Sequence, residues 1–189
     1  MLSVIIPTRN SERSLVPTLA ALVPGATAGL IAEVLIADGG SQDDTARVAD
    51  IAGCNFLTVE GTLAGRLAAA AAVARTPWLM FLRPGIVLDT PWTSEVARFL
   101  QQEPPRLRAA VFRRGTSAGG VHEALLRLGA ALGAPPRPEQ GLLIPRQVYD
   151  SIGGHPGRAG DPERDLLRRL GRRRIARLTT LAFGSAPDT

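Results

Sequence analysis

Short apolar runs alternate with stretches whose apolar residues recur every three or four positions, and this rhythm organises the first half of the 189-residue chain. LSVIIP, residues 2–7, predicts a strand. Leu15, Leu19 and Leu22 then share one helical face, with Ser14 as the expected N-cap. Pro17 falls in that helix's first turn, where a missing N–H does little harm. EVLIAD (33–38) predicts a second strand, and a helix follows with Asp43 and Asp44 in its first turn. NFLTVE (55–60) predicts a third strand, the alanine-rich stretch 62–75 a helix, and WLMFL (78–82) a fourth strand. This alternation predicts an α/β fold, a mostly parallel sheet with helices on both faces.

The second half is less regular. A helix is expected over 91–102, and Pro104-Pro105 break it. LRAAVFRR (107–114) reads as a strand and GGVHEALLRLGAAL (119–132) as a helix. A proline-rich connection, 134–141, leads into a short strand, LLIP (142–145). A turn-rich loop, 153–162, precedes an arginine-rich helix over 163–178, with a strand after it left open. No repeat or linker divides the chain. One domain is expected over 1–183, with 184–189 fraying at the end.

Composition narrows the class. Hydrophobic residues make up 45% and charged residues 21%, the balance of a soluble globular protein. No run of about 18 apolar residues predicts a membrane-spanning helix. MLSVIIP lacks the charged n-region of a signal peptide. The single cysteine, Cys54, excludes an internal disulfide and suits a reducing cytoplasm. The net charge is +5, and all 22 basic residues are arginine. Arginine holds its proton far above neutrality, so the high pI reflects residue choice before any affinity for nucleic acid.

Chemistry gathers at two strand ends. The first gives PTRN, Pro7 to Asn10, and the second ADGGSQDDT, Ala37 to Thr45. Ligands of open α/β sheets bind beyond the carboxyl ends of strands. Asp38 can accept from a ring N–H or a ribose hydroxyl there. Gly39 and Gly40 allow close backbone approach, and Ser41 can cap the next helix. Neither a dinucleotide-binding glycine motif nor a Walker loop is present. A plain strand-to-helix turn with a capping residue explains DGGS equally well.

SVIIPTRNSERSLVPTLAAL followed by EVLIADGGSQDDTARVA resembles the start of a family 2 glycosyltransferase of the GT-A fold, in particular its small bacterial members. GRLAAAAAVARTPWLMFL, EQGLLIPRQVYDSIGGHP and DLLRRLGRRRI continue the resemblance in order, over roughly residues 2 to 178. It implies a nucleotide-sugar pocket bordered by Pro7, Thr8, Asn10, Asp38 and Gly39. Arg66 matches the family's GR position, from which it could reach a phosphate. Ala71 and Val73 stand where relatives carry Asn and Gly.

The strand WLMFL departs most. In the family it ends in a D-x-D-type motif whose carboxylate binds a divalent cation. Hard cations want oxygen ligands, and Arg83-Pro84-Gly85 supply no side-chain oxygen. Divalent metal is therefore doubtful, no metal ligands are assigned, and His122 and His155 form no ligand set. Arg83 either replaces the metal against the diphosphate, marks a decayed site, or points into solvent. The family's catalytic carboxylate precedes the last helix, which aligns Glu163 with the base. Asp161 and Asp165 are neighbours, and Glu139 matches an acceptor-side position. Helix capping is the plain alternative for Asp161 and a favourable first turn for Glu163.

Arg168, Arg169, Arg172, Arg173, Arg174 and Arg177 crowd one segment. It is either a solvated face or a patch for anionic lipid or a lipid-linked acceptor, which would place the protein at the inner face of the membrane. No aromatic residue is interleaved with the cluster for base stacking, which argues against nucleic acid. The leading function is inverting transfer of a sugar from a nucleotide sugar to an unknown acceptor. A noncatalytic nucleotide- or partner-binding descendant and an arginine-patch adaptor at an anionic membrane are the rivals.

Overall fold

The structure, a computed structural model, describes residues 1–101, 108–115, 135–157 and 160–184. The predicted alternation is present: β1 (Leu2–Thr8), α1 (Glu12–Thr27), β2 (Ile31–Asp38), α2 (Thr45–Ile51), β3 (Asn55–Thr58), α3 (Leu63–Val73) and β4 (Trp78–Phe81). Then come β5 (Ile86–Leu88), α4 (Trp92–Leu100), β6 (Ala109–Gly115), β7 (Leu142–Pro145), α5 (Arg146–Ser151), α6 (Pro162–Leu170) and β8 (Ile175–Gly184). The eight described strands form one sheet in the order β3-β2-β1-β4-β7-β6-β8-β5. From β3 to β4 all pairings are parallel. β7 is antiparallel to β4 and β6, β8 is parallel to β6, and β5 is antiparallel to β8.

All seven residues of β1 are buried, as a central parallel strand covered on both faces requires. Leu2, Val4 and Ile6 face one core, shared with Leu15, Leu19 and Leu22 of α1, Ala49 of α2 and Trp92 of α4. Ile5 faces the other, shared with Leu67, Ala70 and Ala71 of α3, Tyr149 of α5 and Leu166 of α6. Each buried Leu or Ile contributes roughly 1.5–3 kcal/mol. The small side chains of Ala70 and Ala71 suit close packing of α3 on the sheet, and α3 carries Arg66 at its N-terminal end.

Several element ends differ from the sequence reading. α1 begins at Glu12, so Ser14 is not its N-cap; the Ser14 hydroxyl donates to Ser11 O at 3.3 Å inside the first turn. Pro17 consequently sits in the second turn, and the helix continues through it. α2 begins at Thr45, which leaves Asp43 and Asp44 ahead of it. The arginine-rich helix stops at Leu170, because Gly171 adopts φ 72°, a left-handed conformation that ends helices. A short 3₁₀ turn, Arg172–Arg174, leads straight into β8, so Arg177 lies on a strand. Gly184 pairs with Ile86 as the last residue of β8. The expected helix 119–132, His122 and residues 185–189 lie outside the described residues.

Candidate functional site

β1 lies between β2 and β4, and the chain leaves β1 toward β2 but returns to β4 on the other side. The crevice beyond Thr8, Asp38 and Phe81 is therefore a topological switch point, where open α/β sheets bind ligands.

The loops after β1 and β2 are stapled together by short polar side chains. Asn10 N–H donates to Ser41 Oγ at 2.8 Å and Gln42 N–H to Asn10 Oδ1 at 2.8 Å. Ser11 N–H donates to Thr45 Oγ1 at 2.9 Å and Glu12 N–H to Asp43 Oδ2 at 3.0 Å. Asn10 takes φ 51°, a conformation that Asn tolerates better than most residues. Asp38 is the hub. Its Oδ1 accepts from Thr8 Oγ1 (2.8 Å) and Ser41 Oγ (2.5 Å). Its Oδ2 accepts from the N–H groups of Gly40 (2.9 Å) and Ser41 (2.8 Å). A carboxylate has about four acceptor positions, so this arrangement leaves none for a nucleotide. Burial raises the Asp38 carboxyl, and the hydrogen bonds from Ser41, Thr8 and Gly40 more than offset this, holding it below the usual range. Ser41 thus closes the Asp38 turn rather than capping α2.

Arg66 reaches across from α3 and donates from Nη1 to Thr8 O at 2.7 Å. Its guanidinium lies directly over Gly39, where a Cβ would stand 1.8 Å from Nη1. The close approach that Gly39 permits is therefore Arg66's. Arg66 Nε is buried and makes no hydrogen bond among the described residues. Burial and nearby Arg9 lower the Arg66 pKa, with Asp38 opposing them.

Arg83-Pro84-Gly85 is a turn. Ile86 N–H donates to Arg83 O at 3.2 Å and Gly85 takes φ 84°, the geometry a type II turn asks of glycine after proline. The Gly85 N–H is held by Ser14 O and Thr18 Oγ1, both at 2.9 Å, so this glycine serves the turn and its seat against α1. Arg83 does not point into solvent. Its Nε and Nη2 both lie 2.6 Å from Glu163 Oε2, Nη1 is 3.4 Å from Glu139 Oε1, and Nη2 is 3.6 Å from Asp161 Oδ2. Glu163 Oε1 makes no hydrogen bond to the described residues. Burial pushes the Glu163 carboxyl above the usual range, and Asp161 and Glu139 reinforce this against the pull of Arg83. Burial disfavours the charged Arg83, and the three carboxylates outweigh it. Asp161 also caps α6, accepting from Glu163 N–H (3.2 Å) and Arg164 N–H (3.1 Å).

A cleft of about 320 Å³ joins these parts, with Thr8, Arg9, Asn10, Arg66, Arg83 and Glu163 in its walls. Pro7, Ser11, Ser14, Leu63 and Pro84 complete it. The structure therefore brings Pro7, Thr8, Asn10, Arg66, Arg83 and Glu163 together. Asp38 and Gly39 shape the wall from behind. Arg9, Ser11, Ser14 and Leu63 were missed, although PTRN at a strand end placed Arg9 at the site's edge. Three arginines against one carboxylate make the walls net positive. A divalent ion does not fit the residues present. The strand end offers it no oxygen ligand, its nearby carboxylates converge on a guanidinium, and no three His, Cys, Asp or Glu side chains are placed to hold an ion among the described residues.

The six-arginine segment does not form one face. Arg169 is pinned, its guanidinium donating to Asp165 Oδ2, Ile152 O and Gly154 O. Arg168 and Arg172 are exposed on α6 and beyond it, while Arg177 is on β8. No described helix is long and apolar enough to cross a membrane. His155 is buried against Phe81 and Tyr149, as packing predicts.

Several solved structures share this fold. Glucosyl-3-phosphoglycerate synthase from Mycobacterium tuberculosis, in complex with Mn²⁺, UDP and glucosyl-3-phosphoglycerate, aligns with a TM-score of 0.71 at 20% identity, over 100% of this chain and 73% of that one. The same enzyme in complex with phosphoglyceric acid aligns at 0.73 and 21% identity, covering 100% of this chain and 72% of that one. TarS from S. aureus (residues 1–349) aligns at 0.72 and 15% identity, over 97% of this chain and 60% of that one. At these identities the likeness establishes the GT-A fold. No curated protein matches the sequence. Residues 3–150 match glycosyl transferase family 2, and with the fold and the switch-point cleft in place, the chain belongs to that family.

Proposed function

We propose that the protein transfers a sugar from a nucleotide sugar to an acceptor hydroxyl with inversion, with Glu163 as the base and arginine in place of a divalent ion. One observation carries this reading: Arg83 grips Glu163 by Oε2 alone, Oε1 has no hydrogen-bond partner among the described residues, and Glu163 lines the cleft. A base needs one oxygen within reach of the acceptor proton and a pKa lifted toward working pH. Burial supplies the lift.

The donor's diphosphate lies against Arg9, Arg66 and Arg83, whose side chains line the cleft and whose forks suit phosphate oxygens. Glu163 takes the acceptor's proton as its oxygen attacks the anomeric carbon from the face opposite the diphosphate. The bond between that carbon and the phosphate oxygen breaks, and the electron pair leaves with the nucleoside diphosphate. Protonation neutralises Glu163 at the moment negative charge grows on the leaving group. Arg83 is then freed of its main partner, and its charge becomes available to the diphosphate. Support at the level of the donor comes from the solved neighbours, whose complexes include UDP, UDP-glucose and phosphoglyceric acid. Arg83 also favours a second reading, a noncatalytic nucleotide-binding protein, since it engages all three nearby carboxylates.

A screen of nucleotide sugars for hydrolysis and binding, run with and without chelator, tests the proposal. Donor turnover lost in Glu163→Gln with donor affinity retained supports the enzyme. Binding with no turnover of any donor by the unmodified protein supports the second reading.

A further inference from the structure

A larger cleft, about 580 Å³, opens along α6 and the segment ahead of Pro138. Arg137, Arg164, Arg168 and Arg172 line it over an apolar base that includes Pro136 and Leu167, and among the described residues no acidic side chain lines it. We propose that it binds the phosphate group of a phosphorylated acceptor; the acceptor part of this inference rests on the transfer reading above.

The charge balance points to an anion. Arg164 is paired with Asp161 at 3.1 Å and Arg168 with Asp165 at 2.8 Å. Arg137 and Arg172 have no carboxylate partner among the described residues. Two unmatched guanidinium groups suit a group with nearly two negative charges, and their planar forks suit its oxygens. Like charges gathered around one hollow repel each other, and an anion between them relieves that repulsion.

The placement points to an acceptor. Arg164, Arg168 and Arg172 are spaced by four, which stacks the first two on one face of α6 and puts the third just past its end. Glu163 is the residue before Arg164 and faces the first cleft. Asp161 touches both Arg83, at 3.6 Å, which lines the first cleft, and Arg164, at 3.1 Å, which lines the second. With a rise of about 1.5 Å per helical residue, Arg168 stands roughly 7.5 Å further along the axis than Glu163. Five residues also turn about 140° around the axis, so a molecule with its hydroxyl at Glu163 and its phosphate in the arginine cleft bends around the first turn of α6. The phosphate can come from a small soluble ester or from a lipid head group.

The test uses the full chain and calorimetry at low salt. One arm titrates inorganic phosphate and glycerol 3-phosphate. The other measures co-sedimentation with phosphatidylcholine vesicles, with and without phosphatidic acid. Saturable binding in either arm is expected, and it should weaken about tenfold or more in Arg137→Ala/Arg172→Ala, the scale of one lost charge-assisted contact. Both side chains are exposed, so this variant should fold, and UDP affinity in the same preparation should stay within about twofold, because the donor cleft is separate. Binding in the first arm assigns a soluble ester, and binding only to phosphatidic acid vesicles assigns a lipid. No binding in both arms, or equal binding by the double variant, overturns the proposal. Loss of UDP binding by the unmodified protein would instead overturn the donor reading and leave this result standing.

Discussion

Arg83 and Glu163 are 80 residues apart, and two nitrogens of the arginine converge on a single oxygen of the glutamate at 2.6 Å. The pair joins the turn after β4 to the first turn of α6 and sets the charge of the cleft between them. Removing the arginine should act on both. Arg83→Ala leaves Glu163 buried without its cation, so its carboxyl should rise further and the protein should lose roughly 2–3 kcal/mol at neutral pH, somewhat below the ~3–5 kcal/mol of a fully buried pair. The acidic limb of a pH–rate profile is expected above the ordinary carboxylate value of 4.5 and should move further upward in Arg83→Ala. An unmoved limb would show that another group limits the rate.

Asp38 tests whether the loop hub acts by contact or by shape. Asp38→Asn puts an NH₂ where two N–H groups now donate, those of Gly40 and Ser41 if the amide oxygen faces Thr8. A stability loss of about 2–3 kcal/mol is expected, the scale of hydrogen bonds to a charged acceptor. Thermal unfolding measures it. Gly39→Ala is the companion: it should displace the Arg66 guanidinium and weaken donor binding, with a smaller stability cost because the displaced atoms end a flexible side chain. Nucleotide titration of both variants separates the two effects. Equal losses of stability would show that Gly39 and Asp38 act only through the loop.

How much of this was legible in the sequence depends on the range of the interaction. The first seven elements follow from period and punctuation, and the ends of β1 and β2 placed Thr8, Asn10 and Asp38 at one crevice. The sense of those residues was not legible. Asp38 was expected to face a ligand, but its oxygens face Thr8, Gly40 and Ser41, because Gly40, at φ 83°, turns the chain back onto the carboxylate. The Arg83 partners come from 56 to 80 residues away, through antiparallel strands whose register no local pattern announces. The arginine-rich segment was read as a single helix, since RRRIARL suits either state and only Gly171 marks the break. Arg9 was visible in PTRN, yet its role depends on Arg66 arriving from α3.

The proposed use of arginine in place of metal has a consequence in solution. Donor binding should survive excess chelator and should weaken as salt rises, because Arg83 is about 31% exposed and partly screened. Isothermal titration of a nucleoside diphosphate at rising ionic strength, with and without Mn²⁺ or Mg²⁺, provides the measurement. Clear stimulation by either ion, reversed by chelator, would show that carboxylates now on Arg83 release it to bind metal.

His155 makes stability fall in a defined pH window. Its ring is buried between Phe81, at 5.0 Å, and Tyr149, whose hydroxyl is 2.9 Å from Nδ1, while Nε2 has no hydrogen-bond partner among the described residues. Burial, with Arg169 nearby, pushes the imidazole from its ordinary 6.5 down to about 4. Between these values the unfolded chain binds a proton that the folded protein refuses. Stability therefore rises with pH across this window and is lost as pH falls through it, with no further loss from this group below about 4. Moving from 6.5 to about 4 corresponds to about 3 kcal/mol at most. His155→Gln cannot titrate, so its unfolding free energy should change much less between pH 6.5 and 4.5 than that of the unmodified protein, whatever its absolute stability. Denaturant melts across that range measure the difference, and parallel slopes for the two proteins would show that His155 is not the source of acid sensitivity there, since the carboxylates Glu33, Asp38 and Glu95, whose pKa values are lowered, act only below their ordinary values.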